Sequence, residues 1–206
     1  MKNVTIFTPG INAAAREEMM EMIYSINPER KTAIDNGSAF VADRILQVVK
    51  PSGGKTTVKM FTDADVKVAG LCDINGGKLE KGEIFLVSSI VLLGALGTGN
   101  TLPDAAALEF VQIPKETRNG NFEFKVNNKI IVPLSSTEAF VNHRNVVTGA
   151  GVTAPTGNGY VGHYKLATPQ LIETQAPITF DIESAVANPN FTFFKLLLIG
   201  VAVVNK

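Results

Sequence analysis

His143 and His163 are the only histidines in the chain, so any imidazole chemistry must draw on them. A metal site would need a third ligand, for which the nearest carboxylate in sequence is Glu138. The spacing of these residues matches no metal-ligand pattern, and both histidines stand in loop-like surroundings. Ser135, Ser136 and Thr137 offer hydroxyls close to His143. A nucleophile–base pair would also need a nucleophile elbow or an oxyanion glycine motif, and neither accompanies them. They read as a turn or as surface hydrogen bonding.

Phosphate chemistry fares no better. Pro51-Ser52-Gly53-Gly54-Lys55-Thr56 ends like a phosphate-binding loop, but the first glycine of that pattern is replaced by Val49, and a strand follows where a helix is required. A tight turn is the reading. Gly149-x-Gly151-x-x-Ala154 meets the loosest dinucleotide fingerprint, yet Pro155 and Gly157 forbid the helix that must open there. Asp63, Asp65, Asp73 and Asn75 are acidic enough to invite calcium but miss the calcium-loop spacing and read as a solvated face. These residues predict no catalytic group, no bound metal and no cofactor, hence a protein that assembles or binds.

Composition narrows the partners. Of 206 residues, 19 are Lys or Arg and 19 are Asp or Glu, so the net charge is zero and there is no global positive field to neutralise nucleic-acid phosphates. The chain has no Trp and only three Tyr, which leaves little for an aromatic platform. Low charge at 18%, together with a mean hydropathy of +0.16, predicts apolar surface hidden against another chain. Cys72 is the only cysteine and reads as a small buried hydrophobe in a reducing compartment. The apolar runs Ile84 to Leu96 and Phe191 to Val204 are shorter than the ~20 residues a membrane helix needs, and the N-terminus lacks the apolar stretch of a signal peptide.

The elements that would carry such a function are mostly strands. Asn12 can cap a helix running from Ala13 to Tyr24, with Ala15, Met19, Met22, Ile23 and Ile26 on one face and Pro28 ending it. From Ala39 onward, short β-rich runs alternate with Gly, Asn, Pro and Ser. They are Phe40 to Val49, Thr56 to Phe61, Val66 to Leu71, Glu83 to Leu93, Leu108 to Ile113, Asn121 to Val126, Lys129 to Pro133, Tyr160 to Leu166, Ile178 to Ile182 and Phe191 to Val204. Asn127-Asn128 predicts a hairpin over Asn121 to Val132, and Asn75-Gly76-Gly77 a second turn. A short helical pattern opens at Pro103. Without a βαβ rhythm or a fixed repeat, the fold class is mainly β: an antiparallel two-sheet sandwich, jelly roll preferred, with an N-terminal helix. Residues 1–38 read as a helical arm and residues 39–206 as the β-sandwich domain.

Two segments resemble strands of bacteriophage virion structural proteins: Lys81-Gly82-Glu83-Ile84-Phe85-Leu86-Val87-Ser88-Ser89-Ile90-Val91-Leu92-Leu93 and Asn190-Phe191-Thr192-Phe193-Phe194-Lys195-Leu196-Leu197-Leu198-Ile199-Gly200-Val201. Tyr160 to Ile182 is similar to the closing strands of such a coat domain. The likeness covers about half the chain and lies in texture, not in a diagnostic motif. It implies a jelly-roll coat or capsid-associated subunit, made in the host cytoplasm, resident in the virion, and in contact with copies of itself and other virion proteins. Coat proteins that package a genome directly often carry a basic arm, and only Lys2 and Arg16 are basic near this N-terminus.

Candidate self-association residues are Met19, Met20, Met22 and Ile23 on the helix, with Leu96 and Leu102 around the Gly94 to Asn100 loop. The helix could instead pack on its own domain. The uncharged loop from Thr148 to Gly159 is a solvent-exposed connection or becomes ordered against a partner. The alternative function is a non-catalytic binding module for a carbohydrate or a partner protein. A sandwich or cupin-like enzyme would require His143 and His163 to meet around a metal.

Overall fold

A computed structural model describes residues 20–25, 28–141 and 163–205. Eight strands dominate it: β1 (Ala39–Pro51), β2 (Thr57–Lys59), β3 (Ile84–Leu96), β4 (Asn121–Val126), β5 (Lys129–Ser136), β6 (His163–Ile172), β7 (Ile178–Glu183) and β8 (Thr192–Asn205). They form two four-stranded antiparallel sheets, ordered β1-β8-β3-β6 and β2-β7-β4-β5. The pairs β1–β8, β2–β7, β3–β6 and β4–β5 are nested like one long hairpin folded over on itself. That order is the jelly roll.

The alternation of side chains explains the layers. On β4, Phe122, Phe124 and Val126 point into the sandwich, and on β7 Ile178, Phe180 and Ile182 do the same. They meet Leu46 and Val48 of β1, Phe85, Val87, Ile90 and Leu92 of β3, and Phe194, Leu196 and Leu198 of β8. The stacked rings of Phe122 and Phe180, with centroids 5.5 Å apart, lie in this core. The opposite face of the β2-β7-β4-β5 sheet carries Lys59, Asp181, Glu123 and Lys125 at its alternate positions and faces water.

The β1-β8-β3-β6 sheet is apolar on both faces. From Ile84 through Leu92 every side chain of β3 is buried. A bulge at Ser88 shifts the phase of the strand: Phe85 and Val87 before it, and Ile90 and Leu92 after it, all enter the main core. Ile84, Leu86 and Val91 instead join Ile199, Val201 and Val203 on the outer face. Ser88 tucks its hydroxyl against the Ile199 carbonyl at 3.1 Å.

The hairpin at Asn127-Asn128 forms as expected, with φ of 50° and 63° and Val126 opposite Lys129. Gly76 and Gly77, with φ of 56° and 62°, make the second turn between bridged Asn75 and Lys78. Gly53 and Gly54, at 59° and 71°, make the turn that imitates a phosphate loop.

Two expected strands are corrected. Val66 to Leu71 is not a strand; it is a loop whose Val68 bridges Cys72 around Gly70, at φ 77°. Leu108 to Ile113 is also irregular, and Val111 is tied to β3 through the Gly94 carbonyl at 3.0 Å. A helix is described over residues 20–25, and a separate helix, α1 (Pro28–Asp35), opens on Pro28, where a missing N–H costs nothing. The expected capping region at Asn12 lies outside the described residues. The pattern at Pro103 becomes a single 3₁₀ turn, Leu102–Ala105.

Candidate self-association surfaces

The first candidate surface is the outer face of the β1-β8-β3-β6 sheet. Its apolar residues are covered at one end by the helical segment 20–25 and α1. Ile23 is 1% exposed in this layer, and Met22, Tyr24, Ala33 and Ile34 pack against it. Of the helical candidates, Ile23 is thus buried on its own domain, Met22 is half-buried there, and Met20 is half-buried at the start of the described helix. Met19 lies outside the described residues. Hydrogen bonds within the segment are local: Ser25 Oγ donates to the Met22 carbonyl, and Thr32 Oγ1 to that of Pro28.

Beside this segment, β6 bulges. Val87 pairs with Gln170 and Ser89 with Lys165, so Leu166 to Pro169 face the single residue Ser88. Ala167, Thr168 and Pro169 lean out and enclose, with Glu21, Met22 and Ser25, a groove of about 390 Å³. The bulge and Pro169 also blunt this edge of the sheet.

At the other end of the outer face, Leu102 is half-buried and packs, with Leu108 and Phe110, on Val49, Leu71, Ala105 and Phe193. Lys195 Nζ stands 5.5 Å from the centre of the Phe110 ring. The neighbouring corner is the second candidate surface. Leu96 closes β3 opposite Thr192, and Gly97 N–H donates to the Phe191 carbonyl at 2.8 Å. Leu96 is 68% exposed, Phe191 43% and Val111 54%, three large apolar residues in water whose backbones meet around the end of β3. Sequence reasoning found Leu96 but not Phe191 or Val111. Phe191 opened one run that read as a strand and Val111 stood inside another, and strand periodicity carries no information on where a strand leaves the core.

The edge of β1 is sealed by its own loop. Val49 N–H donates to Leu71, Asp73 N–H to Gln47, and Gln47 N–H to Asp73 Oδ2, at 2.8, 3.0 and 2.8 Å. Asp65, expected on a solvated face, is buried. Its carboxylate accepts from Lys50 Nζ, from Thr62 N–H at 3.0 Å and from Thr62 Oγ1 at 2.6 Å. Arg44 pairs with Glu83; burial holds its guanidinium below the usual arginine range against the opposing fields of Asp73 and Glu80. Lys67 pairs with Glu80 at 2.6 Å and lowers the pKa of that exposed carboxyl.

The residues examined for chemistry have structural roles where they are described. Ser135 Oγ donates to the Pro133 carbonyl at 2.7 Å, and Ser136 Oγ accepts from Glu138 N–H at 3.2 Å. Thr137 is buried and donates to the Thr117 carbonyl. Thr117, Ser184 and Asn188 complete a buried polar knot that ties three loops together. Cys72 is buried and its Sγ donates to the Ile74 carbonyl at 3.3 Å; burial pushes the thiol pKa up. His163 opens β6 half-buried, its pKa lowered by burial and then by Lys165. His143 and the 148–159 loop lie outside the described residues. Among the described residues, no group of three or more His, Cys, Asp or Glu could hold a metal ion, and no helix is long and apolar enough to cross a membrane.

No protein-family model matches this sequence, and no curated protein matches it.

Proposed function

We propose that this protein is a self-assembling structural subunit of the virion coat class, working through contacts between copies of its jelly roll. The observation that carries the reading is the exposure of Leu96, Val111 and Phe191, three large apolar side chains around the end of β3 at 68%, 54% and 43%. Covering such a side chain fully gains about 1.5–3 kcal/mol relative to leaving it exposed, and a second subunit is the simplest source of cover in a neutral, charge-poor chain. The contact would join Leu96, Phe191 and Val111 to a neighbour over an interface of more than about 1,000 Å². The bacteriophage origin rests on the resemblance of the β3 and β8 sequences. Electron microscopy of concentrated protein tests the proposal: rings, sheets or shells of repeating subunits support it, and a field of separate single chains refutes it.

A second reading, a binding module, has its own observation. A cleft of about 520 Å³ lies between Asp63, Lys78, Glu80, Lys81 and Gln175. Its charged lining suits a polar partner, and saturable binding by a strictly monomeric protein would favour this reading.

A further inference from the structure

We infer that the segment 20–35 is an exchangeable arm, and that in the assembled protein it lies on the outer sheet face of a second copy of this chain. The inference rests on the self-assembly proposed above and names the partner of the first surface.

Its basis is how the arm is held. Ile84, Leu86, Val91, Ile199, Val201 and Val203 form an apolar face none of whose members is more than 7% exposed, and Ile23, Met22, Tyr24, Ala33 and Ile34 cover it. The apolar packing of this attachment is non-directional burial, which an identical arm from another copy reproduces residue for residue. The connection to the sandwich is short and exposed. Asn36, Gly37 and Ser38 are all in water, and β1 begins at Ala39. Gly37 has φ of 75°, and its N–H donates to the Ile34 carbonyl at 3.1 Å, which turns the chain back onto its own sheet. Rotating that glycine to an extended conformation breaks the bond from Ser38 Oγ to the Ala33 carbonyl, at 3.1 Å, and redirects the arm outward while leaving its apolar packing available in trans. The intrachain and exchanged forms therefore differ chiefly in this link and in the entropy of association, the balance on which exchange of identical elements depends. Self-assembly through the Leu96 corner would hold copies together and reduce that entropic term.

The test uses the groove in which arm and sheet meet. Met22 and Thr168 line it together, so the full-length variant M22C/T168C can be joined by a short bismaleimide. The native Cys72 is buried, with its thiol pKa raised, and reacts poorly. Isotopically heavy and light chains are mixed in equal amounts, unfolded, refolded together, cross-linked and weighed. Exchange predicts heavy–light linked species in statistical proportion within the assembled fraction. A second variant, G37P, cannot hold positive φ at the link and is expected to raise the linked interchain fraction further. An assembled protein whose cross-links stay within single chains overturns the exchange and leaves self-assembly standing. A protein that is monomeric throughout overturns both.

Discussion

Gly200 on β8 lies directly against the Leu86 carbonyl of β3, so close that a methyl group at position 200 would overlap that oxygen and press on the Phe85 ring. The contact sits next to the Ser88 bulge, where β3 changes phase and begins to supply both the main core and the outer face. Gly200→Ala must therefore push apart two central strands. We expect a loss of about 1–3 kcal/mol, read as a lower denaturant midpoint with an unchanged slope.

The Lys50–Asp65 pair pins the loop after β2 to the sealed edge of β1. Removing the carboxylate strands Lys50 and leaves the Thr62 N–H without its acceptor. Asp65→Ala is expected to cost about 3 kcal/mol, and Asp65→Asn less, because an amide oxygen still accepts from Thr62. Equal losses in the two variants, measured by chemical denaturation, would show that the hydrogen bonds to Thr62 contribute nothing.

His163 supplies a pH dependence whose sign follows from its surroundings. Burial and Lys165 lower its pKa in the folded chain, so the unfolded chain binds the proton more readily. Stability from this group is fully present above the ordinary histidine pKa of 6.5 and declines as pH falls below it, levelling off beneath the lowered folded-state value. Thermal unfolding of wild type and His163→Gln across this range should show a shallower decline in the variant. Parallel curves would remove His163 as the cause.

Elements defined by local chemistry were readable from the sequence. The β4–β5 hairpin needed only the alternation of Phe122, Phe124 and Val126 and two asparagines that tolerate positive φ. Segments decided by tertiary contacts were not. Val66 to Leu71 has strand-like residues, but the ladder position beside β1 is taken by Leu71 and Asp73 through a handful of bonds, and Gly70 turns the chain away. Asp65 looked like one of several surface acids because nothing in its neighbourhood announces Lys50, which reaches it from β1. The two-sheet class followed from strand texture; the nested pairing follows from long-range register, which periodicity does not encode. At the candidate surfaces, Leu96 was legible as the end of an apolar run, whereas the approach of the Phe191 and Val111 backbones to the end of β3 depends on the β3–β8 pairing and the bond from Val111 to Gly94.

The most direct test of self-assembly is the mass of the full chain in solution, by light scattering behind a sizing column, over a range of concentrations and salt. Wild type is expected as an oligomer or larger particle that persists in high salt, because the contact is apolar. Leu96→Asp, at a position 68% exposed and so harmless to the fold, is expected to weaken association at least about tenfold, equivalent to about 1.4 kcal/mol. A wild-type mass of 22.0 kDa at every concentration would contradict the proposed function.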